Sequence, residues 1–315
     1  METLTIAWDN LSPRPVVLFL IVTAVEVERD AGLGVMKPLS GRDRILKVPC
    51  KESTYFLGTI GRYPCALVLG EAGSDTRKGS ALEIQAGIER WDPLAILAVG
   101  IAFGRRIDAK GNEAQVPGDV LVSTQLYPYH HAKLTPDGDE DRGPHPEASI
   151  VLLDRIRNLS WTWLSGGQHR KPVLGPLLTG PYVFNDASPR DNLFARFPRA
   201  IGGEMEATGV YSACSRLGRQ WTVIKAVCDW GAEKADDYQR LAARNAAALL
   251  LALLSEDGLN ADAFHQKSST PAAAAYGCSW PTSPSRRISE RRSGEIRWVQ
   301  HTWWPVHLSP MSIRS

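Results

Sequence analysis

Short, unbroken runs of apolar and β-branched residues recur along this chain and restrict what it can fold into. Residues 16–22, 93–99 and 222–227 are the clearest. Runs of this length without polar alternation read as strands covered on both faces, the arrangement of a sheet between helical layers. Ligands of α/β sheets sit beyond the carboxyl ends of the strands. The run 16–22 is followed by Thr23-Ala24-Val25-Glu26-Val27-Glu28-Arg29-Asp30, which starts a helix, so Glu26 and Glu28 fall on the ligand side. Acids in a helix's first turn are also favoured by the macrodipole alone, and that reading stays open for both.

A second junction of the same kind lies at Gly202-Gly203-Glu204-Met205-Glu206-Ala207, in front of an Ala-rich helical run. It is followed by a strand, residues 222–229, that closes on Cys228-Asp229. Burying an ionised carboxylate costs several kcal/mol unless donors surround it, so acids at the ends of core elements meet a polar ligand or cap a helix. Sugar hydroxyls are one such set of donors. Capping the run that follows is the alternative for Asp229.

Between these junctions, residues 55–69 read as two strands around a glycine turn, followed by a Gly-rich loop at 70–79 and a helix through residue 88. Residues 116–123 read as a turn feeding a strand, 149–164 as a helix, 172–178 as a strand, and 238–254 as a closing helix rich in Ala and Leu. Residues 1–14, with polar residues and a proline at 13, read as a loose arm. From Ser268 onward Ser, Pro, Ala and Arg take over without helical or strand period, which reads as a disordered tail or linker. The expected domains are therefore an arm at 1–15, a folded domain at 16–265 and a tail at 266–315.

A net charge of +2, with basic and acidic residues interspersed up to the tail, argues against a nucleic-acid partner. The apolar start at residue 15 lacks a basic n-region and is too short to span a bilayer, so no membrane partner is expected. Cys50, Cys65, Cys214, Cys228 and Cys278 form neither a disulfide framework nor a zinc pattern and suit a reducing cytoplasm. His130 and His131 are adjacent and cannot both face one metal from a strand, so neither a metal nor a cofactor is expected.

The motif Glu204-Met205-Glu206-Ala207 before a small-residue helix, and then a strand closing on Cys228-Asp229, resembles the nucleoside phosphorylase superfamily. The likeness is greatest to its 5′-methylthioadenosine/S-adenosylhomocysteine nucleosidase branch, and it runs over residues 16–254. It implies a three-layer α/β/α sandwich around a mixed, mostly parallel sheet, and a homodimer in which the region of Tyr127-Pro128-Tyr129-His130-His131 completes the neighbour's pocket. By the same resemblance Glu28 activates the attacking water and Asp229 holds a proton for the leaving purine. Glu206 grips ribose hydroxyls, and Glu204 and Met205 line the sugar. Phe184 stacks on the base with Val183 as the neighbouring wall, and Ala102 and Phe103 line base and ribose. The chain departs from the family at Phe103, where a glycine is usual, and at Cys228, where a serine is usual. The implied reaction is cleavage of the N-glycosidic bond of a purine nucleoside or nucleotide by water. Phosphorolysis and a nucleotide-sensing module remain as alternatives. Against the former, Glu26 and Glu28 would repel phosphate, although Arg77, Arg105 and Arg106 are near in sequence.

Overall fold

The computed structural model describes residues 2–264 except 75, 108–113, 137, 160–170, 183, 185–186 and 232–237. Val183 and the expected tail lie outside the described residues.

Three adjacent parallel strands form the middle of the sheet: β2 (Phe19–Thr23), β5 (Tyr63–Leu69) and β6 (Ala95–Gly104). Phe19 pairs with Cys65 on one side and with Ala95 on the other. All five residues of β2 are buried, as an unbroken apolar run requires. Helices cover both faces. Leu67 packs against Gly32 of α1 (Glu26–Val35), while Leu20 packs against Gly87 of α2 (Ser80–Trp91). Leu67 is level with Ile21, so neighbouring residues of β2 point to opposite helical layers. The long α6 (Gln239–Ser255) packs beside α1, and α5 (Ala207–Arg216) beside α2.

At one edge two tight antiparallel hairpins join β3 (Ile45–Cys50), β4 (Ser53–Ile60) and β5. The glycine turn expected within 55–69 is Gly61, whose φ of 59° is left-handed. β3 was not legible, because Lys47 and Pro49 interrupt its apolar run.

The other half of the sheet closes on itself. After β6 come β11 (Gly202–Glu204), β10 (Val173–Thr179), β7 (Val120–Pro128) and β12 (Gln220–Asp229), and β12 pairs back with β6. The β6, β12 pairing slips by one residue between Val227 and Asp229, so Cys228 is the extra residue of a bulge. A bulge bends its strand and re-aims the following side chain, here Asp229. Further elements are α3 (Ile150–Asn158), capped by the Ser149 hydroxyl, and α4 (Ala187–Arg196). A short antiparallel hairpin of β8 (Ala132–Thr135) and β9 (Gly138–Asp141) follows β7. Among the described residues no helix is long and apolar enough to cross a membrane.

The N-terminal residues are not a loose arm. β1 (Thr3–Thr5) extends the sheet parallel to β3, and Trp8 meets Trp91 edge-on with ring centroids 5.4 Å apart. The Arg14 and Arg90 guanidinium carbons each lie 4.3 Å from the Trp8 ring centroid. Aromatic packing and two cation–π contacts outweigh the polar composition that suggested an arm. Trp8→Ala should therefore lower the unfolding free energy by about 1–3 kcal/mol, less than a fully buried Trp→Ala because Trp8 is half-buried. Urea denaturation would measure this, and an unchanged midpoint would show that the segment contributes nothing.

Candidate active site

The carboxyl ends of β2, β6 and β12, with β11 beside β6, surround a cavity of about 220 Å³. Its walls include Glu28, Ala102, Phe103, Phe184, Glu204, Met205, Glu206 and Asp229. Of the site residues that the resemblance implies, all within the described residues thus line one space.

The two acids after β2 diverge. Glu26 points to solvent and pairs with Arg29 at 3.5 Å, as an ordinary first-turn acid would. Glu28 turns inward and is buried. Its Oε2 accepts the N–H groups of Ala24 (2.6 Å) and Val25 (3.2 Å), and its Oε1 accepts that of Ile101 (2.7 Å). Glu28 therefore ties the start of α1 to β6 as well as facing the cavity. A side chain at Gly100 would collide with this carboxylate, so the glycine within β6 is required by close approach.

Glu204 and Glu206 flank the turn from β11 into α5. The Glu204 carboxylate accepts the backbone N–H groups of Glu206 (3.0 Å) and Ala207 (3.0 and 3.1 Å), which caps α5 from within the site. Glu206 accepts from the Gly73 N–H at 3.2 Å and from the Lys225 ammonium at 2.8 Å. Ser80 donates to the Glu206 carbonyl (2.6 Å) and Ser74 to that of Met205 (3.0 Å), so the Gly-rich loop 70–79 and the start of α2 hold this turn in place.

Lys225 is the residue that sequence reasoning missed. It lies inside the otherwise apolar β12 and its side chain is 2% exposed. Its Nζ is 2.8 Å from Glu206, 3.6 Å from Glu28 and 4.0 Å from Glu204. A lysine in the middle of a β-branched run was the available signal, since an ammonium is buried only where carboxylates receive it. Burial alone would lower the Lys225 pKa, yet Glu206, Glu28 and Glu204 together raise it, so it stays charged. Burial alone would also raise Glu206, but the Lys225 charge and hydrogen bond hold it below the ordinary carboxylate value. Glu204 is pushed up to about 7, by burial first and then by the charge of Glu206. One ammonium cannot neutralise three buried carboxylates, and Glu204 is the one that takes up a proton.

Asp229 accepts the Gly231 N–H at 2.7 Å and lies 3.4 Å from the Cys228 thiol. It does not cap α6, which starts only at Gln239 with Tyr238 at its N-cap. Residues 232–237, directly after this turn, lie outside the described residues. On the aromatic side Phe103 meets Phe184 edge-on with centroids 5.6 Å apart, and Tyr129 packs on Phe184 at 6.0 Å. Phe103 is thus a side wall of the cavity, set at 80° to the Phe184 ring. Exposed Tyr182 stands at the rim, its backbone N–H donating to the Tyr129 hydroxyl at 3.2 Å. The arginines considered as phosphate ligands are elsewhere. Arg77 reaches toward Glu52 on the surface, and Arg105 and Arg106 line a separate cavity that includes Phe194.

The fold and cavity define a class of α/β protein that presents carboxylates to a ligand at strand ends. The chain matches the family described as the phosphorylase superfamily over residues 21–255, and it belongs to that family. A "Death domain-containing ATP nucleosidase" of Amphimedon queenslandica is 26% identical over 265 residues, covering 76% of this chain and 48% of that protein. The chain therefore spans about half the length of that relative. A 5′-methylthioadenosine/S-adenosylhomocysteine nucleosidase of Haemophilus influenzae is 26% identical over 208 residues, covering 64% of this chain and 86% of the relative. Among solved structures, the nucleosidase of the same name from Neisseria meningitidis, in complex with methylthio-immucillin-A, superimposes with a TM-score of 0.62. It is 19% identical, covering 76% of this chain and 98% of that one, and shows the shared fold.

The Glu204 proton has a consequence for stability. The folded state keeps a proton that the unfolded state releases above the ordinary value of 4.5, up to about 7. The stabilisation is complete below 4.5 and is lost as pH rises to 7, by at most about 1.4 kcal/mol per pH unit. Glu206, shifted the other way, loses its contribution only at pH below that window. Denaturant midpoints of the wild type should fall between pH 5 and 7, and Glu204→Gln should flatten this slope. Parallel slopes in the two proteins would place the proton elsewhere.

Proposed function

We propose that the chain cleaves the N-glycosidic bond of a purine nucleoside or nucleotide with water as the nucleophile. The observation that supports this most is the charge of the cavity. Glu28, Glu204 and Glu206 line it beside Asp229, and among the described residues the cation recorded within 4.0 Å of the three glutamates is Lys225, already engaged by Glu206. Such a space attracts the hydroxyl groups of a ribose and the positive charge that develops on the sugar, and it repels a phosphate nucleophile. The two relatives named above are both nucleosidases by name, which agrees with this reading.

In this mechanism a water molecule lies against Glu28, an anchored carboxylate that accepts its proton as the oxygen attacks the anomeric carbon. The bond to the base breaks, its electrons pass into the purine, and Asp229 gives a proton to N7. Free base and the free sugar are the products. Glu206 accepts hydrogen bonds from the ribose hydroxyls, while Glu204 and Met205 line the sugar. Phe184, Phe103 and Ala102 hold the base, with Val183 as the expected neighbouring wall. A homodimer, with the region of Tyr129 and His130 at the neighbour's pocket, and a cytoplasmic location belong to the same reading. The four described cysteines are all free and buried, as a reducing compartment permits.

Two substitutions test the assignment. Glu28→Gln should nearly abolish release of base. Asp229→Asn should slow it by about 10²–10⁴-fold. Both should still bind the nucleoside, which equilibrium titration would show. Turnover at the wild-type rate in either variant would remove that residue from the mechanism.

A further inference from the structure

In the catalytic cavity Phe103, Phe184 and Gly231 lie together with Asp229 bonded to Gly231, Glu28, Glu204 and Glu206 gather round Lys225, and Ala24, Val25, Ala72 and Gln239 are among the rest of the lining. If the base and ribose take the first two zones, the C5′ atom leaves by the third. Gln239 is shared with a second, larger space, a groove of about 1250 Å³ that runs along α1 and α6. Glu26 and Asp30 form one rim and Arg240 and Arg244 the other.

The charges on the two rims are unequal. Arg29 lies 3.5 Å from Glu26 and 2.8 Å from Asp30 on α1, and so offsets that rim in part. Arg240 and Arg244, one helical turn apart and both exposed, have no recorded ion pair among the described residues. Of the charged residues that line the groove, two are acids and two are arginines, and the acids are the pair already engaged by Arg29. The groove thus offers two guanidinium groups without a recorded ion pair where the cavity behind it presents carboxylates. Negative charge on a substrate would be repelled by the glutamates of the cavity and attracted by Arg240 and Arg244 beyond Gln239.

On the nucleosidase reading above, we propose that the α1, α6 groove receives the 5′-phosphate groups of the substrate through Arg240 and Arg244, making a purine nucleoside 5′-phosphate the preferred substrate class. Guanidinium groups bind phosphate oxygens in charge-assisted pairs, and two of them a turn apart match a short phosphate chain. A neutral 5′ substituent would leave both unused.

The test compares kcat/KM for base release from adenosine, methylthioadenosine, AMP, ADP and ATP in the wild type and in the exposed double variant Arg240→Ala, Arg244→Ala. The nucleotides should exceed adenosine by about tenfold or more, and the double variant should lose that advantage while cleaving adenosine as before. The advantage should also shrink with added salt. Preference for methylthioadenosine, or a nucleotide preference that survives in the double variant, would overturn the proposal. If no substrate releases base, the nucleosidase reading fails by itself. The groove is then judged by calorimetric binding, in which ADP should bind about tenfold more tightly than adenosine to the wild type and not to the double variant. Equal binding of the two ligands would overturn it.

Discussion

The site depends on one buried ammonium. Lys225 sits in the middle of β12 within 2.8 to 4.0 Å of Glu206, Glu28 and Glu204. Placing any of these groups alone in the interior would cost several kcal/mol, and removing one partner of such a pair is typically worth about 3–5 kcal/mol. The acids come from the start of α1, the end of β11 and the turn into α5, which belong to different helical layers. The lysine therefore joins at one point segments that otherwise meet only through the sheet. With one positive and three negative groups the cluster remains acidic, and the proton held by Glu204 relieves part of the excess.

That residual negative charge gives the cavity its chemistry. Each carboxylate is already fixed by backbone donors, Glu28 by three and Glu204 by the first amides of α5, so little reorganisation is needed when a ligand arrives. The same bonds explain why acids this deep are tolerated. Asp229 is separated from the cluster by the bulge at Cys228, which turns it toward the aromatic end. In the proposed mechanism the acid for the base and the acids for the sugar are thus set apart by this bulge.

Much of this was legible in the sequence because it rests on local pattern. The buried runs gave β2, β6 and β12, and the acids at their ends gave Glu28, Glu206 and Asp229 as candidates. Resemblance to a family then assigned roles that spacing alone left open. Lys225 was not legible as a counterion, since its partners are distant in sequence and only the closed half of the sheet brings them together. The docking of residues 3–10 was hidden for a similar reason. Trp8 owes its place to Trp91 and Arg90, far along the chain, and polar composition is a poor guide where one aromatic ring carries the contact. β3 failed locally, its pattern broken by Lys47 and Pro49.

The central claim is that an acidic, lysine-centred cavity selects water over phosphate at the anomeric carbon. It is tested most directly by turnover of a purine nucleoside in ¹⁸O-labelled water containing phosphate, with the sugar product read by mass spectrometry. The account predicts one ¹⁸O atom in the free sugar and no dependence of the rate on phosphate. An unlabelled sugar 1-phosphate, formed at a rate that rises with phosphate, would contradict it.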